Sequence, residues 1–149
     1  MRWRKWWCVN HHWGRFMFAR TLIRETTAFI ESNDASRHIW LDQARFYVRK
    51  SYRPIGGSWR RTLDIASVEV VEPYRRMGYF SIALVVFQNQ VMRPSLALIE
   101  NIDKVDHGLT VVYFESVLND DLATFLMVKH QYQQDLMIYP PSFYRIMRP

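Results

Sequence analysis

The stretch SVEVVEPYRRMGYFSIAL, running from Ser67 to Leu84, decides how the rest of the chain is read. It opens on alternating β-branched and polar residues, breaks at EPYRRMG (72–78) and resumes as an amphipathic run. From about Arg61 to Val70 the spacing predicts a strand, with Ala66, Val68 and Val70 on one face and Ile65, Ser67 and Glu69 on the other. From Tyr79 to about Met92 it predicts a helix whose Phe80, Ala83, Leu84, Phe87 and Val91 form one apolar stripe. A strand that feeds a helix N-terminus brings unpartnered amides and the positive end of the helix dipole to one corner, which suits an anion. Gly78 permits close backbone approach there, and Arg75 and Arg76 add charge matched to a diphosphate.

Working outward, PIGGS (54–58) is the clearest turn. Before it, His38 to Tyr52 is rich in β-branched and aromatic residues, which predicts one bent strand or two strands turning at Asp42-Gln43. Leu22, Thr26, Phe29 and Ile30 recur at helical spacing and predict a helix from about Phe18 to Ser32. Trp3 to Trp13 is dense in Trp and His, and residues 1–15 are expected as a first strand or a basic, Trp-rich arm. Downstream, Arg93-Pro94 is expected to interrupt the motif helix, with a short helical piece from Leu96 to Ile102 and a polar stretch to Gly108. Leu109 to Val117 reads as a buried strand, and Asn119 opens a helix carrying Leu122, Phe125, Leu126 and Lys129. Leu136–Tyr139 and Phe143–Met147 read as two short strands separated by Pro140-Pro141. With no repeat and no linker, residues 1–149 are expected to form a single α/β (α+β) domain, a mixed sheet flanked by helices.

The segment from Ser67 to Leu84 resembles the acetyl-CoA-binding motif of the GNAT superfamily of N-acyltransferases, a strand, an Arg/Gln-x-x-Gly-x-Gly/Ala turn and an amphipathic helix. VVYFESVLN (111–119) followed by DDLATFLMVKHQY (120–132) is similar to that family's next strand, its Asn and its following helix. The resemblance implies a largely antiparallel mixed sheet and acetyl-CoA as co-substrate. It implies that main-chain groups of Val68, Glu69 and Val70 pair with the pantetheine arm, since the family splays its sheet beside this strand. It further implies that the amides from Arg75 through Arg76, Met77, Gly78, Tyr79 and Phe80 to Ser81 hold the pyrophosphate, and that Asn119 sits near the thiol arm. The chain departs from the pattern in two places. Phe80 stands where the family prefers Gly or Ala, and Phe125, Leu126 or Met127 stands where many relatives place a Tyr acid. Acetyl transfer to an amine needs a proton acceptor, for which Glu115 and Glu69 are the candidates, while Tyr113 and Tyr132 are the hydroxyls offered as the acid.

Hydrophobic residues make up 49% and charged residues 23%, which are globular proportions. No apolar run reaches the ~18 residues of a membrane span, and no signal-peptide pattern is expected in the basic opening. A single cysteine, Cys8, excludes an internal disulfide and points to the reducing cytoplasm. Cys8, His11 and His12 fall short of a zinc pattern, so no metal is expected. The net charge of +6 is uneven: from Met1 to Arg61, thirteen Lys or Arg face four acids. From Glu100 to Asp135, seven acids face Lys104 and Lys129. A basic half interleaved with Trp3, Trp6, Trp7 and Trp13 suits an anionic partner, either nucleic acid or a phosphorylated cofactor. The alternatives to an acetyltransferase are therefore a nucleic-acid-modifying or nucleic-acid-binding protein of the same fold, and a binding protein without the reaction. The acceptor amine is not legible, whether on a small molecule or a protein. The oligomeric state is not legible either, and a dimer is one expectation.

Overall fold

Residues Ser36–Val70 build three antiparallel strands: β1 (Ser36–Trp40), β2 (Ala44–Ile55) and β3 (Ser58–Val70). The computed structural model describes residues 2–100 and 107–148. β1 and β2 are two strands that turn at Asp42-Gln43, closed by a Leu41 N–H to Ala44 carbonyl bond of 3.0 Å. The β2–β3 hairpin turns on Gly56 and Gly57 with φ of 59° and 78°, the paired left-handed geometry that a tight hairpin demands. Helix α1 (Arg2–Glu31) precedes β1, and helix α2 (Tyr79–Glu100) crosses over to β4 (Leu109–Phe114), which lies parallel to β3. A short helix α3 (Asp120–Thr124) runs on as a π turn over Phe125–Lys129, and β5 (Gln133–Asp135) and β6 (Ser142–Ile146) complete the sheet. The strand order is β1-β2-β3-β4-β6-β5, antiparallel except at β3–β4.

The main core joins Phe18, Leu22 and Phe29 of α1, Leu84, Phe87 and Val91 of α2 and Leu126 beyond α3 to one face of the sheet, through Ile39, Phe46, Val48, Leu63, Ile65 and Phe114. The opposite face holds a smaller cluster of Ile55, Val111, Tyr113 and Tyr144, to which no helix residue belongs among the described residues.

Four expectations are corrected. The Trp-rich opening is not a strand, because α1 is helical from Arg2 onward. Its apolar residues recur at no single period, so the sequence carries no stripe to read, and Trp13 and Phe16 are exposed. Ile65 does not share a face with Ser67 and Glu69. Tyr47 pairs with Ser67 and Val48 with Ile65, leaving Ala66 as the extra residue of a β-bulge that reverses the alternation. Val68 and Val70 accordingly pack on the same core as Ile65. Pro94 does not interrupt α2, which stays helical to Glu100; the rest of the expected polar stretch, at 101–106, lies outside the described residues. Finally, Leu136–Tyr139 is an exposed turn, and the edge strand lies just before it at Gln133–Asp135. The Asp135 carboxylate accepts the Met137 N–H at 3.1 Å, a local turn that diverts the chain from the ladder.

Candidate functional site

Where β4 leaves β3, the sheet opens. The ladder between them ends at Ile65–Phe114, with one further bond of 3.2 Å from the Glu115 N–H to the Ile65 carbonyl. Ser116 then takes a left-handed φ of 49° and the chain turns away, Val117 N–H bonding Pro141 instead. β3 continues to Val70 without β4 beside it. The Val71 N–H donates to Gln43 at 2.9 Å, so by alternation the main-chain groups of Val68 and Val70 face the open edge while those of Glu69 face β2. The Val70 carbonyl accepts from Nε of Arg75 at 3.0 Å.

This open edge leads into the corner read from the sequence. A 3₁₀ turn at Glu72–Tyr74 starts with Pro73 near its head, then Arg76 (φ 60°) and Gly78 (φ 84°) reverse the chain. Ile82 N–H bonds the Gly78 carbonyl at 3.1 Å, which makes Gly78 the cap and leaves the amides of Tyr79, Phe80 and Ser81 as the head of α2, without a backbone partner among the described residues. A Cβ on Gly78 would meet nothing within 4 Å, so its demand is for the φ angle and the space above it is open. A cleft of about 410 Å³ lies there. Val70, Arg75, Arg76, Gly78, Tyr79, Phe80 and Ser81 line one side, and Asn119, Asp121, Leu122 and Phe125 the other. Phe80 does not stand over the amides. Its ring turns inward, 6.1 Å from Phe114 and 5.9 Å from Phe125, and forms part of an aromatic floor. Asn119 accepts the Leu122 N–H at 3.1 Å and so caps α3 while lining the cleft. Of the sequence-derived cofactor residues, Val68, Glu69 and Met77 are not in the lining.

None of the four proton-transfer candidates lines the cleft. Tyr113 is buried beneath the opposite sheet face and donates to Asp135 at 2.8 Å; burial, reinforced by that bond, pushes its hydroxyl up to about 12. Tyr132 is buried against Gln88, whose amide donates to its hydroxyl at 3.2 Å, and burial raises it as well. Glu69 is exposed, 3.5 Å from Arg45. Glu115 differs, because it stands where β4 parts from β3. Its Oε1 accepts from both Arg49 and Arg53, and Arg53 also makes a two-pronged pair with the fully buried Asp64 at 2.8 and 3.1 Å. Thr62 donates to the other oxygen of Asp64, and the Arg53 guanidinium lies 4.1 Å from the Tyr113 ring centre. Two guanidiniums and two carboxylates balance in charge, which is what permits their burial. Sequence reading missed this network. Its signals were Arg49 and Arg53 at strand-face spacing, and an Asp between Leu63 and Ile65 in a strand centre.

No protein-family model matches the chain, and no curated protein sequence matches it. Among solved structures, a mutant of the AtaT toxin bound to the C-terminus of the antitoxin AtaR and acetyl-CoA is similar, with a TM-score of 0.53 and 12% identity. The match covers 70% of this chain and 59% of that one, so the chain spans well under two thirds of that toxin's length. A KacTA–DNA complex is similar at 13% identity and a TM-score of 0.48, over 70% of this chain and 58% of that one. With a parallel β3–β4 pair that opens beside a strand–turn–helix corner, and with the likeness to the AtaT toxin, the chain has the GNAT-like fold.

Proposed function

We propose that the chain is an acetyl-CoA-dependent N-acetyltransferase. The observation that carries this reading is the continuity of two backbone surfaces, the β3 edge beyond β4 and the α2 head, along one cleft. A pantetheine arm is a chain of amides and adds to an open edge as a strand does, pairing with Val68 and Val70. The diphosphate then falls at the amides of Tyr79, Phe80 and Ser81, beside Arg75 and Arg76. Laid this way, the thioester reaches the point where β4 rejoins β3, next to Glu115.

The amine attacks the thioester carbonyl, the C–N bond forms and the C–S bond breaks. Holding the two reactants together supplies much of the acceleration. Glu115 takes the ammonium proton through Oε2, which has no donor among the described residues because both arginines use Oε1. The leaving thiolate takes the second amine proton, and Glu115 returns its own to solvent. Calorimetry with acetyl-CoA tests the reading. Wild type is expected to bind, and Gly78→Trp to lose roughly a hundredfold or more by filling the space over the α2 amides. A wild type that takes up no acetyl-CoA ends the proposal.

A second reading, binding or modification of nucleic acid, has its own observation. On the sheet face away from the helices, Trp40 is 67% exposed with the Arg45 guanidinium 5.1 Å from its ring centre, and His38 stacks on Tyr47 at 4.5 Å. Flat rings interleaved with cations are the surface on which unpaired bases stack.

A further inference from the structure

The cleft opens on the helix side of the sheet, whereas Arg49, Arg53, Asp64 and Glu115 gather on the other side, over Tyr113. The sheet opens where β4 parts from β3, and Glu115 stands at that gap. On the transferase reading the acceptor therefore arrives from the face opposite the cofactor and meets this cluster first.

The cluster is unevenly satisfied. Arg53 is spent: 19% exposed, it holds Asp64 with two nitrogens and Glu115 with a third contact, and lies across an aromatic ring. Arg49 is not. Its side chain is 37% exposed and gives one bond, from Nη2 to Glu115, while its Nε is screened from solvent with no partner among the described residues. An unpaired buried donor is unfavourable, and the exposed part of the same guanidinium keeps capacity for an incoming acceptor oxygen. Beside it, Oε2 of Glu115 is an acceptor without a donor among the described residues. The edge thus offers one cationic donor and one anionic acceptor side by side, joined by the ion pair between them.

The geometry points to an acceptor amine that carries its own oxyanion, with Arg49 holding the oxyanion while Glu115 receives the ammonium. Such a molecule matches both unfilled groups at once, and an uncharged amine matches only one. Binding the oxyanion at Arg49 aims the nitrogen at the gap between β3 and β4 and hence at the thioester. The proton balance is that of the proposed reaction, with Arg49 gaining and losing none. Arg49 is a specificity-determining residue in this scheme. A carboxylate and a phosphate monoester present the same chemistry to a guanidinium, so the source of the oxyanion is settled by the panel below.

The inference rests on the transferase reading, and the experiment separates the two. Thiol release from acetyl-CoA is followed with glycine, glycinamide, 2-aminoethyl phosphate and ethylamine, on wild type, Arg49→Met and Arg49→Lys. Wild type is expected to favour glycine over glycinamide, or 2-aminoethyl phosphate over ethylamine, by tenfold or more in kcat/KM. The winning pair names the oxyanion. Arg49→Met is expected to erase that ratio through KM, and Arg49→Lys to restore part of it. Acetyl-CoA affinity by calorimetry is expected unchanged in both variants, which shows them folded. Acetyl-CoA bound without turnover of either anionic amine, neutral amines turned over as well as anionic ones, or a ratio that survives in Arg49→Met overturns the inference and leaves the cofactor reading standing. Failure of wild type to bind acetyl-CoA overturns both.

Discussion

Pro94 has no N–H to give to the carbonyl of Gln90, one helical turn back, so the rule that proline breaks a helix here should have applied. The structure answers with His107. Its Nδ1 accepts the Leu109 N–H at 2.9 Å, which places the ring proton on Nε2, and Nε2 lies 3.2 Å from the Gln90 carbonyl. A side chain 17 residues away supplies the donor that the backbone lacks, and α2 runs on to Glu100. Replacing His107 with Ala is expected to cost about 1–2 kcal/mol in chemical unfolding. Pro94→Ala, which returns an amide donor, is expected to recover more stability in the His107→Ala background than in wild type. Equal effects in the two backgrounds would separate the histidine from the proline. No local window holds this compensation, nor the pairing of Arg49 with Glu115 across 66 residues. What local sequence does hold is conformational need: Gly56, Gly57 and Gly78 stand where φ is positive.

At the scale of the element, reading succeeded where the chain interacts with its near neighbours. β1, β2 and β3 are joined by tight turns, and the register between neighbours follows from them. It failed where one extra residue reset the phase, at Ala66, and where a helix had no stripe, in the first half of α1. α1 also has no basic residue in its last turn, although the free carbonyls of a helix end favour a cation. Lys50 of β2 fills that place, its Nζ donating to Ser32 at 2.6 Å and to Phe29 at 3.1 Å and resting 4.9 Å from the Phe29 ring centre. Burial opposes the charge and holds the Lys50 amine below its ordinary range, so the net gain is modest. Lys50→Met, which keeps the apolar stem, is expected to lose about 1 kcal/mol with an unchanged denaturant slope. An unaltered midpoint would mean that the α1 terminus does not depend on it.

For the molecule as a whole, the one-sided placement of the helices leaves two polyanion-friendly surfaces back to back, and they make opposite demands on salt. In the cleft, the proposed cofactor would be held by α2 amides, the β3 edge and two arginines, most of which are dipoles aimed at short range and little screened. On the outer face, Trp40, Tyr47, Arg45 and Arg49 would track a strand of nucleic acid through stacking and charge. There, each neutralised phosphate releases counterions, and affinity falls with a log–log slope of roughly 0.7 per phosphate contact. Raising salt from about 50 to 200 mM is therefore expected to weaken acetyl-CoA only a few-fold, whereas three outer-face phosphate contacts would cost a single-stranded oligonucleotide nearly twentyfold. Trp40→Ala sharpens the contrast, because this residue lies in neither the cleft nor the core. Loss of a stacked base costs roughly 1–3 kcal/mol, so an oligonucleotide held on this face loses at least several-fold while acetyl-CoA binding stays as it was. Fluorescence titrations with both ligands at two salt concentrations read the result. An oligonucleotide whose binding is indifferent to Trp40 and to salt removes the second reading and leaves the outer face to the acceptor amine.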